Sequence, residues 1–233
     1  MRLLRLAFCV VLLSGSFAAR AKDWQEGKNY FVIEPARFGW MPSPGKVEVT
    51  EVFSYACPAC NAFYPYADKL KASLPPQATM TYLPASFIPQ EDWPMFQRAW
   101  CTAHALGIAE QTHDTIFRAV WATGQLATMN PSTRKLMVPL PTIKDAAHYY
   151  SQIADVSEPA FLAAAQSFTV NSLMRKADHL VMAWKVSGTP TIVIDGKYRM
   201  TASSAGGVED LLALVDYLVK QEIAARAAST SGQ

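Results

Sequence analysis

The sequence predicts an α/β chain with a central mixed sheet flanked by helices and an all-helical domain inserted into it. Three observations predict this class. The alternating run V-E-V-T-E-V-F-S over Val47–Ser54 reads as a central strand and leads into a helix-like stretch beginning at Pro58. Strand signals then vanish between about Phe87 and Val170, where helical segments separated by Pro, Gly and Asn take over. They return as Thr191–Ile194 and Tyr198–Thr201 around Asp195-Gly196, a strong hairpin-turn signal. The two halves of the sheet are therefore far apart in sequence, with the helical block between them.

At the N-terminus, Arg2 and Arg5 precede an apolar run from Leu6 to Leu13 and a small-residue stretch closing in Ala19-Arg20-Ala21. This pattern is that of a secretory signal peptide over residues 1–21, and the apolar run is too short to span a bilayer. Removing Arg2, Arg5 and Arg20 takes the 21 basic residues to 18, against 19 acidic ones. A nearly neutral mature chain has no electrostatic pull toward nucleic acid or anionic lipid. Cys9 lies inside the apolar run and leaves with it, so the mature chain keeps Cys57, Cys60 and Cys101.

Trp24–Phe31 reads as an entry segment with an edge strand near Tyr30–Ile33, and the Pro- and Gly-rich stretch from Pro35 to Pro44 as a loop. Phe63, Ala67, Leu70 and Leu74 recur at helical spacing after Pro58, which suits a first helical turn. Pro65 sits mid-helix, where a kink is expected, and Pro75-Pro76 ends the element. Thr79–Pro84 is a further short strand. In the inserted block, helices are expected over Trp93–Leu106, Ala109–Trp121, Ile143–Ile153 and Pro159–Phe168, the last capped by Ser157. Ala127–Pro141, with three prolines, reads as an extended surface connection. Asn171–Trp184 is another helix, and Val208–Ile223 closes the chain with Val208, Leu211, Leu212, Val215, Leu218 and Val219 on one face. The Ala/Ser/Gly-rich tail Ala224–Gln233 is expected to fray. The expected division is residues 22–86 and 171–233 for the sheet domain and 87–170 for the helical insertion.

The chemistry sits where the strand meets the helix, in A-C-P-A-C. A cysteine at a helix start faces unsatisfied backbone N–H groups and the positive end of the dipole, which favour its thiolate. A stabilised thiolate is a well-populated nucleophile and a good leaving group, and a second cysteine one turn on can resolve a mixed disulfide. A structural disulfide closing so short a loop would add little stability. Zinc would need a second pair of ligands, and His104, His113, His148 and His179 show no such spacing. No metal or other cofactor is expected. Glu51 lies in the strand at a position that should be buried, where a carboxylate without a partner is costly and its pKa rises; such a group can exchange a proton with a thiol. Thr189-Pro190, within V-S-G-T-P-T, leads into a strand and is a candidate cis bond that would leave the Thr189 backbone free to pair with an extended substrate. Cys101, in W-C-T-A-H-A-L-G, reads as a buried small side chain, with a reactive thiol as the alternative.

Strand, C-P-x-C, a helix with Pro65, and a later T-P followed by a D-G hairpin resemble the thioredoxin fold. Together with the leader, E-G-K-N-Y, E-V-F-S-Y-A-C-P-A-C, A-H-A-L-G and V-S-G-T-P-T-I-V-I-D-G-K-Y, they resemble the DsbA family of periplasmic thiol:disulfide oxidoreductases over nearly the whole mature chain. The resemblance implies that Cys57 is the nucleophile, Cys60 the resolving cysteine, Pro190 the cis-proline and Glu51 the buried acid. Pro58, Ala59, Thr189 and Pro190 would meet the substrate. It further implies a monomer in the periplasm that donates the Cys57–Cys60 disulfide to unfolded exported proteins with free cysteines and is reoxidised by a DsbB-like membrane quinone reductase. The alternatives are a periplasmic disulfide reductase or isomerase and, in a different class, a non-catalytic metal-binding dithiol chaperone. Three features depart from the family pattern. Ala59 stands where the best-known members carry histidine, Thr189 where valine is common, and the Ala127–Pro141 connection is long.

Overall fold

The computed structural model describes residues 22–36 and 39–231; the expected leader, with Cys9, lies outside them. Five strands form one sheet: β1 (Phe31–Val32), β2 (Val47–Phe53), β3 (Ala78–Pro84), β4 (Thr191–Ile194) and β5 (Tyr198–Met200), in the order β1-β5-β4-β2-β3. All seven residues of β2 are buried, as its position between two neighbours requires. It pairs parallel with β3, from Val47 opposite Ala78 to Phe53 opposite Pro84, and antiparallel with β4, Glu51 opposite Ile192. A parallel pair needs a crossover, and α1 (Pro58–Ser73) supplies it. Helix α1 runs unbroken through Pro65. The three-residue β4–β5 turn, Asp195–Lys197, is closed by Lys197 N donating to Ile194 O (2.8 Å) and places both Asp195 (φ 52°) and Gly196 (φ 62°) in the left-handed region that Asp and Gly adopt most readily.

The insertion comprises α2 (Trp93–Ala105), α3 (Ala109–Trp121), α4 (Ile143–Ile153) and α5 (Glu158–Ala165), followed by α6 (Phe168–Ala183), which returns the chain to the sheet. Helix α2 packs against each of the other four, and the Tyr150 and Phe161 rings stack with centroids 4.6 Å apart between α4 and α5. Polar contacts tie this block to the sheet. Gln97 Nε2 donates to Pro84 O (3.2 Å) and to Asp178 Oδ1 (2.7 Å), which also accepts from Ser86 Oγ (2.8 Å). The buried Trp40 indole donates to Tyr82 O (2.8 Å) and so ties the loop before β2 to β3.

Four expectations are corrected by the structure. Helix α6 starts at Phe168, because the Ser167 hydroxyl accepts from Val170 N (3.2 Å) and caps it; α5 correspondingly ends at Ala165, and the expected boundary at 170/171 falls inside α6. The strand expected to reach Thr201 stops at Met200, since Thr201 caps a short helix, α7 (Ala202–Ala205), which the sequence reading missed. The tail does not fray at Ala224: α8 (Val208–Ser231) runs on past it. Lys197 Nζ meets Glu222 Oε1 at 2.6 Å and Arg226 Nη2 meets Asp195 Oδ2 at 2.5 Å, holding the helix to the hairpin. The buried stripe of α8 is Leu211, Leu214, Val215, Leu218 and Val219, with Val208 and Leu212 at its margins. Finally, Ala127–Pro141 is folded on itself, with an antiparallel bridge between Met129 and Leu136.

Candidate active site

The last residues of β2 and the turn after it deliver Cys57 to the N-cap of α1. Cys57 N donates to Ser54 O (3.1 Å), and Asn61 N closes the first helical turn on Cys57 O (3.0 Å). Pro58 at the first helical position has no N–H to leave unsatisfied. The N–H groups of Ala59 and Cys60 are thereby aimed back at the Cys57 sulfur. Cys57 retains 6% of its surface, Pro58 and Ala59 are exposed, and Cys60 is fully buried, so only one sulfur of the pair is open to a partner.

From the other half of the sheet, the segment before β4 brings Thr189 and Pro190 to the same place. The Thr189–Pro190 bond is cis, and the Cys57 thiol donates to Thr189 O at 3.5 Å. Residues 132 positions apart in sequence thus meet at one sulfur. Glu51 lies below them in β2, 1% exposed, between Tyr82 of β3 and Ile192 of β4; neither of its oxygens has a hydrogen-bond partner among the described residues.

These surroundings split the two thiols. A hydrogen bond from the Cys60 side chain is the largest influence on Cys57 and lowers its pKa to about 6 against the opposing effect of burial; Thr189 and the two helix N–H groups add to the lowering. Cys60 goes the opposite way, raised well above its ordinary value by burial first and then by the Cys57 and Glu51 charges. Burial, with the Cys57 and Asp68 charges, pushes Glu51 up to about 8, so at neutral pH it is mostly protonated. Asymmetry of this kind suits exchange: the accessible sulfur leaves easily, and the buried one holds its proton or attacks.

All the expected site residues except Pro58 and Ala59 are buried or half-buried, and all seven lie in or around the C-terminal half of β2 and the turn after it. Cys101 lies apart in α2, fully buried, with burial the main cause of a thiol pKa raised to about 12. Among the described residues no group of three or more His, Cys, Asp or Glu side chains could hold a metal ion. Sequence reasoning missed the support behind the dithiol. The Tyr55 hydroxyl lies 3.0 Å from Nδ1 of His113, whose imidazole burial keeps neutral, with its pKa down at about 3. Trp121 Nε1 donates to Tyr55 O (2.7 Å). Neither contact had a sequence signal beyond apolar spacing. Glu48, at the opposite end of β2, is a second buried acid, with Oε1 accepting from Met41 N (2.5 Å) and Thr81 Oγ1 (3.0 Å).

A helix-capping dithiol beside a cis-proline loop, on a mixed sheet of this order, defines a dithiol protein of the thioredoxin fold. The comparisons sharpen the class. Residues 48–218 match the DSBA-like thioredoxin domain, and the chain belongs to that family. It is 34% identical over 208 residues to the thiol:disulfide interchange protein DsbA of Pseudomonas aeruginosa, covering 89% of this chain and 90% of the relative. To the DsbA of Azotobacter vinelandii it is 35% identical over 204 residues, covering 88% and 87%. A crystal structure of a Pseudomonas aeruginosa DsbA point variant superposes with a TM-score of 0.74 at 33% identity, over 87% of this chain and all of that one. The Xylella fastidiosa DsbA structure also gives 0.74, at 30% identity, over 85% and 97%. The chain is accordingly a thiol:disulfide oxidoreductase.

Ala59 is exposed beside the sulfur it would influence. Ala59→His places a titratable cation there, and the Cys57 pKa should fall by roughly half a unit to one unit. One unit corresponds to about 30 mV in the potential of a two-electron couple, in the oxidising direction. Thiolate absorbance against pH, with glutathione equilibration, measures both; unchanged values would remove any role for position 59.

Proposed function

We propose that this oxidoreductase works as a disulfide donor. A substrate thiolate attacks Cys57 Sγ of the Cys57–Cys60 disulfide; the S–S bond breaks, a mixed disulfide forms, and Cys60 leaves with the electron pair. A second substrate thiolate attacks the substrate sulfur of the mixed disulfide and expels the Cys57 thiolate. The substrate loses two electrons and two protons, and the protein ends as the dithiol. What carries this direction is the split between the thiols: a Cys57 thiolate held low is a good leaving group, and a disulfide whose reduced form is stabilised is oxidising.

The roles follow from position. Cys57 is the exchanging sulfur and Cys60 the resolving one. Glu51 is the proton relay that supplies the departing Cys60, and Thr189 with Pro190 presents a carbonyl edge for an extended substrate. Pro58 and Ala59 form the exposed lip the substrate meets. Its substrates are unfolded exported proteins with free cysteines, met in the periplasm by a monomer whose leader occupies residues 1–21. The dithiol product needs a disulfide oxidant, for which a DsbB-like membrane quinone reductase is the partner. No helix among the described residues is long and apolar enough to cross a membrane. The dithiol is the only redox group this cycle requires.

The deciding experiment equilibrates the Cys57–Cys60 couple with glutathione and follows oxidation of a reduced, two-cysteine protein. A potential well above the range of about −270 mV typical of thioredoxin, with fast donation, is expected. A potential at that reducing level would overturn the donor reading in favour of a reductase.

A further inference from the structure

Beside the dithiol lies a cavity of about 600 Å³ that the exchange chemistry does not use. One wall is Pro58, the residue that follows Cys57; the others come from the end of α3 at Trp121 and from the connection after it, at Ala127, Met129, Pro131 and Arg134. Its size is that of a pocket for a few side chains. Resting on the donor reading above, we propose that this cavity is a substrate subsite, taking an apolar side chain next to the reacting cysteine of an extended polypeptide while Arg134 pairs with an acidic residue beside it.

Three observations carry this. The first is continuity: the wall begins one residue from the exchanging sulfur. A strand rises only about 3.3 Å per residue, so a chain whose cysteine reaches Cys57 places its neighbouring residues over the opening. The second is that the walls are pre-formed. Trp121 is held through its indole N–H to Tyr55 O, and Leu126 N donates to Ala119 O (3.1 Å). The connection is closed on itself by the Met129–Leu136 bridge, by Asn130 N to Lys135 O (2.8 Å), and by Asn130 Oδ1 accepting from Ser132 N (3.0 Å) and Thr133 N (2.9 Å). A pocket held open in this way imposes little ordering cost on its occupant. The third is charge. Arg134 is the single charged side chain among the lining residues, it is exposed, and it makes no ion pair with the described residues. The cationic end of α1 points the same way.

The test uses reduced two-cysteine peptides that differ only beside the first cysteine, carrying Phe-Asp, Gly-Asp or Phe-Lys. Each kcat/KM is divided by the same protein's rate of dithiothreitol oxidation, so that any general loss cancels. The native protein should favour Phe-Asp over Gly-Asp by about tenfold, the scale of filling an apolar pocket, and over Phe-Lys by about threefold, the scale of an exposed ion pair. Ala127→Trp, which fills the cavity, should erase the first preference, and Arg134→Glu should reverse the second. Arg134 is on the surface, so the charge arm stands even if the Trp variant misfolds. Preferences that are absent in the native protein, or unmoved in the variants while dithiothreitol and peptides are still oxidised, overturn the subsite and leave the donor reading standing. Failure to oxidise any dithiol overturns both. Self-association of the native protein that Ala127→Trp breaks would assign the cavity to a second copy and also overturn the proposal.

Discussion

Replacing Cys57 by serine should abolish disulfide donation, and replacing Cys60 by serine should stop the reaction half-way. The two outcomes differ because the sulfurs occupy different environments. Cys57 is the one with surface left to it, at the helix N-cap, with its sulfur against Thr189 O. Without it no disulfide exists and no accessible sulfur remains, so oxidation of a reduced protein should fall to the uncatalysed rate. With Cys57 kept and Cys60 lost, the internal attack that would release a bound partner has no nucleophile. Exposed to a protein disulfide, Cys60→Ser should therefore accumulate a mixed disulfide through Cys57, visible as a heavier band on a non-reducing gel and abolished by dithiothreitol. Donation surviving in Cys57→Ser, or a covalent adduct mapped to position 101, would contradict the assignment; fully buried Cys101 has no route to a partner.

Glu51→Gln should make the reduced protein more stable and its exchange slower. Folding carries the Glu51 pKa from 4.5 to about 8 through burial. Between those values the folded protein holds a proton that the unfolded chain has released. Stability therefore falls as pH rises through this window and levels off above it. At pH 7 the cost is about 3 kcal/mol, from 1.36 kcal/mol per unit. Glutamine keeps the shape without the charge, so urea unfolding should show near-equality at about pH 4.5 and an advantage of about 3 kcal/mol at pH 7. A difference that does not change with pH would refute the assignment of the shift to Glu51. The kinetic effect runs the other way. Cys60 is raised by burial, so the thiolate it becomes on leaving needs a proton, and in the proposed cycle protonated Glu51 gives it. Losing a general acid costs about a hundredfold at the low end of its usual range. That loss should appear in the mixed-disulfide step by stopped flow, together with loss of the pH dependence near 8.

Much of the fold was legible because period and punctuation carry it. The V-E-V-T-E-V-F run, the D-G turn and the Pro and Gly breaks set the expected order of elements, and α3 and α4 fall where helical spacing puts them. Errors gathered where a cap or a distant ion pair decides. Ser167 starts α6 within a stretch that also reads as the end of α5, and α8 passes Ala224 because Arg226 and Glu222 find partners on a hairpin whose nearness no local pattern records.

The dithiol and its place at a helix start were determined by the sequence alone, since two cysteines one turn apart after a strand have little else to do and Pro58 marks the first turn. So was the burial of Glu51, which follows from its central strand. Tertiary structure alone decided what those residues become. The split between Cys57 and Cys60 arises from the hydrogen bond Cys60 gives Cys57, from which sulfur the fold covers and from the Thr189 side chain, delivered across 132 residues. The cavity beside them exists because Ala127–Pro141 closes on itself instead of lying extended. Desolvation and long-range contact are properties of the packed molecule, and no spacing along the chain encodes their magnitude.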